Sequence, residues 1–302
     1  MELIEYLSKS DNLITTIMKC RLFNKKIYTT KSDIIQSYLK LFNHNTKMWG
    51  RGIYSPKWTS TFYTLRDLMQ LAINPNNNIF QMGIDTLINN IWYKNHTVKN
   101  DICVIAMMVS LLTYGKREKE IVDEMMMFLL KHHQKDGGWN CASLTHKTDK
   151  SSINTTITVL EALRDYINRG YINNTSKLKT YIKSGQEYLL RKKLYKSETS
   201  NTPIKDYMTK IHFPIRWQYD LFRGLEYLAS INYQKDKRMS EALDILKKSF
   251  KNGLLPKGPT FPGKLHFKYD LEVYKKINTI RGLSILKVYD NEYYQKLIKT
   301  EI

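Results

Sequence analysis

The chain has 302 residues, 42% of them hydrophobic and 12% aromatic, enough for the core of one large domain or two ordinary ones and too apolar for disorder throughout. Its 48 Lys and Arg against 28 Asp and Glu leave a net charge of +20. That charge allows an anionic partner without requiring one, because the sequence is rich throughout in Lys, Asn, Ile and Tyr. Three widely spaced cysteines, Cys20, Cys103 and Cys141, exclude a disulfide-dense secreted scaffold and fit a reducing cytoplasm.

The first residues, Met1-Glu2-Leu3-Ile4-Glu5, lack the basic stretch of a signal peptide. A helix is expected over 32–42. Amphipathic helices follow over 79–92, 118–133, 177–194 and 239–250, from apolar residues at helical spacing such as Ile121, Met125, Phe128 and Leu129. The longest apolar run, 102–114, is shorter than the roughly 20 residues a membrane helix needs and reads as a buried helix. Residues 196–205 and 256–261 read as irregular loops.

Five segments between these helices look alike. They begin at Thr64, Cys103, Thr156, Leu221 and Thr279, and most are apolar on more than one face. Turns of Gly type, such as Lys135-Asp-Gly-Gly-Trp139 and Lys251-Asn-Gly-Leu-Leu255, close several of the amphipathic helices. The repeating unit is therefore an inner helix, a short link, an outer helix and a Gly-type turn. Hairpins of this kind stack because neither face can be buried alone. The expectation is an all-α fold of about five to six helical hairpins in one domain, 1–302. In it, 1–50 forms an N-terminal helical extension with the first outer helix, and 51–290 forms the repeat region. Periodicity alone does not separate a closed ring from an open solenoid.

One motif is specific. Gln134-Lys-Asp-Gly-Gly-Trp-Asn-Cys141 resembles the QW repeat of terpenoid cyclases and protein prenyltransferase β subunits. Ser151-Ser-Ile-Asn-Thr-Thr-Ile-Thr-Val-Leu-Glu-Ala-Leu163 is similar to the inner helix that follows it there. Lys276-Ile-Asn-Thr-Ile-Arg-Gly-Leu-Ser-Ile-Leu286 is similar to the last inner helix of small bacterial squalene-cyclase-like proteins. The resemblance implies an (α/α) toroid whose inner helices surround a cavity for an isoprenoid chain. It also implies that the Gln caps an adjacent helix, the Gly pair makes the turn and the Trp packs between repeats.

In such a toroid the starts of the inner helices converge on one mouth. Trp58, Thr59 and Thr61 stand at the first. Asp101 and Cys103 stand at the second, and Ser151, Ser152, Thr155 and Thr156 at the third. Arg216, Trp217, Tyr219 and Asp220 stand at the fourth, Asn278 and Thr279 at the fifth. These residues are open to two readings, helix capping and the binding of an anion such as a diphosphate. The terpenoid cyclase acid, Asp-x-Asp-Asp, is missing, so Asp101 and Asp220 are the candidate acids and any cyclisation is atypical. Asp101-Ile-Cys103 resembles the Asp-x-Cys zinc pair of the prenyltransferases, with His146 nearest to the third ligand. No cofactor is expected on the leading reading, and zinc is the alternative.

Arg66, Arg223 and Arg281 share the third position of three segments. They either pair with outer-helix carboxylates such as Asp123, Glu187 or Asp244, or point inward as a basic ring. The stretch His212-Phe-Pro-Ile-Arg-Trp-Gln-Tyr-Asp220 gathers aromatics, a cation and an acid, with its helix starting after Pro214. Trp58, Thr155, Arg216, Trp217, Tyr219, Arg223 and Arg281 are the candidate substrate-binding residues. GxGxxG, GxxxxGK[ST], HExxH and GxSxG are all missing.

The leading expectation is an isoprenoid-handling protein that binds a prenyl chain or prenyl diphosphate, with catalysis left open. The alternatives are a zinc-dependent transferase and a helical-repeat scaffold that binds peptide, lipid or nucleic acid through its basic surface. A cytoplasmic location is expected, with the basic face able to rest on anionic lipid.

Overall fold

A computed structural model describes residues 1–93, 101–145, 148–171 and 175–302. Among the described residues the chain is all helical, with no strand beyond isolated bridges. No described helix is long and apolar enough to cross a membrane.

Five inner helices lie where the repeats place them: α4 (Thr61–Gln70), α6 (Ile102–Tyr114), α8 (Ile153–Asn168), α10 (Leu221–Ser230) and α12 (Leu271–Tyr289). Twelve of the thirteen residues of α6 are buried, as a helix packed on several sides must be. The outer helices are α5 (Asn78–Leu87), α7 (Lys119–Lys131), α9 (Thr175–Arg191), α11 (Ser240–Ser249) and α13 (Asn291–Ile298). A wide helical turn over Ile88–Tyr93 extends α5, so the expected 79–92 holds as one element. The helix α12 begins seven residues before Asn278, which places Asn278 inside the helix instead of at its start.

The first 50 residues hold more than an outer helix. They form α1 (Leu3–Ser8), α2 (Asn12–Phe23) and α3 (Asp33–Lys40). Only α3 takes the expected role, packing on α4. The helix α2 packs along α12 and buries Leu13, Ile14, Ile17, Met18 and Leu22, as an inner helix does. The inner helices touch in series. Helix α4 meets α6, α6 meets α8, α10 meets α12 and α12 meets α2. Arg223 ties α10 to α8 through Glu161 and Thr158. Just beyond α2, the Thr29 amide donates to the Ala72 carbonyl and its hydroxyl to the Leu71 carbonyl, where α4 ends.

One hydrogen bond recurs in three inner helices, near the start of α4 and α8 and within α12. The Trp139 amide donates to the Thr156 hydroxyl at 3.0 Å, the Trp49 amide to that of Thr61 at 3.1 Å, and the Leu255 amide to that of Thr279 at 2.9 Å. Both tryptophans also donate their indole N–H to the end of the preceding helix, Trp139 to the Leu129 carbonyl and Trp49 to that of Tyr38. Each indole lies over a glycine of the next outer helix, Gly185 and Gly83, where a Cβ would meet the ring at 3.1 and 2.7 Å. Trp49 is thus a second copy of the Trp139 turn. Gln134 donates to the His132 carbonyl, so it finishes its own helix instead of capping a neighbour.

These equivalent threonines correct the frame of the repeats. With Thr61 matched to Thr156 and Thr279, Arg66 falls at the sixth position, the place of Glu161 and of Glu226. Arg223 and Arg281 keep the third position. The pairing rule is then regular. Arg223 on α10 forks onto Glu161 of α8, and Arg281 on α12 bonds Glu226 of α10. The outer-helix carboxylates serve other cations, Glu187 with Arg238, Asp123 with Lys119 and Asp244 with Lys247.

Gly138 tests the turn. A Cβ there would lie 2.3 Å from the Thr156 hydroxyl and 2.9 Å from Ser151. Gly138→Ala is expected to destabilise the chain by about 1–3 kcal/mol through overpacking, measured as the shift in the urea unfolding midpoint at unchanged m value.

Candidate functional site

The residues singled out at the helix starts fall into three groups. The first is a buried ion pair. Arg216 spans both oxygens of Asp67 on α4, and both side chains are 3% exposed. Asp67 also accepts from the Tyr38 hydroxyl at 3.1 Å, and Tyr38 bonds Tyr269 at 2.8 Å. The guanidinium lies 4.9 Å from the centre of the Trp58 ring and 5.7 Å from that of Tyr63. The Arg216 charge is therefore matched and shielded, which is the signature of a core anchor. Trp58 is buried with it, its indole donating to the Phe261 carbonyl at 3.3 Å.

The second group surrounds Asp220. One carboxylate oxygen accepts from the Arg223 amide at 2.9 Å and so caps α10, and the other meets His212 Nδ1 at 3.1 Å. A candidate acid held by a cap bond and a histidine, in a site 4% exposed, is committed to structure. Tyr219 lies against Gly224, which leaves no room for a Cβ there, and its buried hydroxyl has no partner. Burial pushes that phenol well up. Arg223 and Arg281 are each 1% exposed and held by the glutamates named above and by backbone carbonyls.

The third group is new in its composition. The Cys103 amide at the start of α6 donates to the Cys141 sulfur at 3.2 Å, and the Thr155 hydroxyl on α8 donates to the same sulfur at 3.4 Å. The Cys103 thiol bonds to it as well, which holds the Cys141 thiol below the usual range and pushes that of Cys103 well up. Cys141 is half-buried and Cys103 is buried. The Tyr63 hydroxyl donates to that of Tyr54 at 2.9 Å. Burial pushes Tyr54 up to about 12. Beside Tyr54, the Lys57 ammonium is ringed by aromatic faces, 5.5 Å from Tyr54, 5.9 Å from Trp58 and 5.4 Å from Trp217. The Trp217 indole N–H has no partner. The half-buried members of this group, Tyr54, Lys57, Cys141 and Trp217, offer aromatic faces, one cation and one sulfur.

Asp101 stands at the start of α6, exposed, and makes no cap bond to the helix. His146 lies outside the described residues. Among the described residues no three His, Cys, Asp or Glu side chains gather as a metal site would require. The structure therefore gives Cys103 a partner that sequence spacing hides, since Cys141 lies 38 positions away in the motif after α7. It also brings in Tyr54, Tyr63 and Lys57, whose only sequence signal is their closeness to Trp58.

Compared with models of protein families, with curated proteins and with solved structures, the chain matches none.

The thiol geometry has a readable consequence. Alkylation proceeds through the thiolate, so a depressed thiol reacts at lower pH than an ordinary one. Iodoacetamide is expected to modify Cys141 well before Cys103 in the native chain, at a pH where the urea-unfolded chain is still slow. Peptide mapping of the labelled residues across pH checks the order. Equal rates at the two cysteines would contradict the hydrogen-bonded pair.

Proposed function

We propose that the helical hairpins close into an (α/α) toroid of the terpenoid cyclase and prenyltransferase kind, and that its mouth at the inner-helix starts binds a prenyl chain or prenyl diphosphate. The serial contacts from α4 to α2, with Thr29 meeting the end of α4, support closure. The observation that carries the ligand class is the aromatic setting of Lys57. Tyr54, Trp58 and Trp217 present their faces to a cation, and the same walls suit an isoprenoid chain while Lys57 meets its diphosphate. Alkene protonation is not part of this reading, because Asp220 is committed to the α10 cap and Asp101 stands in solvent.

Farnesyl diphosphate is the probe. Binding is expected at micromolar concentration, read by quenching of tryptophan fluorescence, with affinity at least tenfold weaker in Trp217→Ala and in Lys57→Ala. Equal affinity in both variants, or no binding, would overturn the reading. The Cys103–Cys141 contact favours one second reading, a zinc-dependent transferase. Stoichiometric zinc in the purified protein, lost together with farnesyl diphosphate binding in Cys141→Ser, would put that reading first.

A further inference from the structure

At the opposite ends of the inner helices lies a differently built space, a cleft open to solvent. Two adjoining cavities of about 510 and 160 Å³ share Arg21, Met69, Gln70, Ser110, Arg164 and Asp165 in their walls. Residues of α2, α4, α6, α8 and α10 line them. The size suits a small molecule and is far too large for a single water.

The charges in this space do not balance. Three carboxylates face it, and each is held by an arginine other than Arg66. Glu161 takes the fork of Arg223, Glu226 pairs with Arg21 and Arg281, and Asp165 accepts twice from Arg164. Arg66 is 5% exposed and lines the smaller cavity, and its buried Nε has no hydrogen-bond partner. By the pairing rule a sixth-position residue meets the third position of the next inner helix. On α6 that position is Ile105, which has nothing to offer a guanidinium. The wider cavity adds Lys25, Lys26, Lys116 and Arg169 toward solvent. A buried guanidinium without an acceptor is costly unless something negative joins it. The inner-helix C-termini that face the same space make their own carbonyl ends slightly negative, so the arginines set the sign of the site.

We propose that this cavity is a binding site for a small soluble phosphoryl compound, whose phosphate or diphosphate oxygens take the free fork of Arg66 while its remainder fills the wider cavity. A phosphoryl group fits better than a lone carboxylate, because its several oxygens can bridge Arg66 to the basic residues of the wider cavity. The site is separate from the aromatic mouth. It rests on Arg66 and not on Lys57, so the two assignments stand or fall independently.

Inorganic pyrophosphate, titrated calorimetrically at low ionic strength, tests it. One equivalent is expected to bind at micromolar concentration and to raise the melting temperature. Arg66→Met removes the free fork. It is expected to melt at or above the wild type without ligand, because an unpaired buried charge is gone, and to bind pyrophosphate at least tenfold more weakly. Arg66→Lys keeps a charge without the planar fork and serves if the methionine variant fails to fold, again with weakened binding. Undiminished affinity in both Arg66 variants, or no binding by the wild type, would overturn the proposal. A loss of stability in Arg66→Met with unchanged pyrophosphate affinity would make Arg66 structural. Vesicles of phosphatidylglycerol separate the sources of phosphate: equal vesicle binding by wild type and Arg66→Met supports a soluble ligand, and vesicle binding that depends on Arg66 overturns it.

Discussion

A guanidinium taken out of water has to find an acceptor, and in this chain that requirement fixes how the inner helices stand against one another. Arg223 and Arg281, each at the third position of its repeat, reach the sixth-position glutamates of the preceding inner helix. The pairs are nearly dry, so breaking either would strand a charge and cost about 3–5 kcal/mol. An apolar interface tolerates a slide of one turn if volume is kept. The Arg223–Glu161 fork does not, because both of its N–H···O bonds depend on one relative height. The ladder therefore works as a register device for α8, α10 and α12, and Arg21 of α2 meets the same Glu226 of α10.

The two ends of the inner helices answer to different constraints. At the starts, the turn amide bonds the threonine hydroxyl in three repeats, and the two tryptophans wedge under glycines of the following helix. This end is closely packed, and it carries the aromatic and sulfur groups. At the C-terminal ends no such plug recurs. Five helices end around a cleft that the side chains do not fill, and its walls mix charged groups with apolar ones such as Ile17, Ile27, Met69 and Tyr114.

How much of this was legible in the sequence depends on whether the signal was local. The helix periods and Gly-type turns are local, and α4 to α11 lie close to their expected spans. Within the expected N-terminal helical extension α2 carries no clear apolar stripe, because Asn12, Thr15, Thr16, Lys19 and Arg21 interrupt its apolar residues, and the packing on α12 explains the burial of the rest. The frame of α4 in the structure differs by three residues from that of its sequence, since Arg66 imitates Arg223 and Arg281 when sequence is matched by type. The hydroxyl of Thr61 shows the true frame, and that bond to Trp49 is a fact of three dimensions. The same holds for the candidate site. Cys103 was visible and so was Cys141, but their contact crosses from the start of α6 to the turn after α7. Asp101, the sequence neighbour that suggested a metal pair, faces solvent instead.

The net charge of +20 then divides into two unlike parts. Every buried cation among the described residues is an arginine, namely Arg66, Arg216, Arg223 and Arg281, while the lysines lie partly or fully in solvent. The chemistry of the two side chains explains the division. A lysine can shed its proton when buried, whereas a guanidinium keeps its charge and meets it with donors in fixed directions. Surface lysines thus make up most of the excess charge, and they respond to salt and to any anionic surface alike. The interior excess is far smaller and far more specific. Arg216, Arg223 and Arg281 each have a carboxylate, so the imbalance concentrates on Arg66, where the repeat calls for a glutamate and α6 supplies only Ile105. A charge that the overall count cannot distinguish from the rest is, by its position in the frame, the one that the fold leaves without a partner of its own.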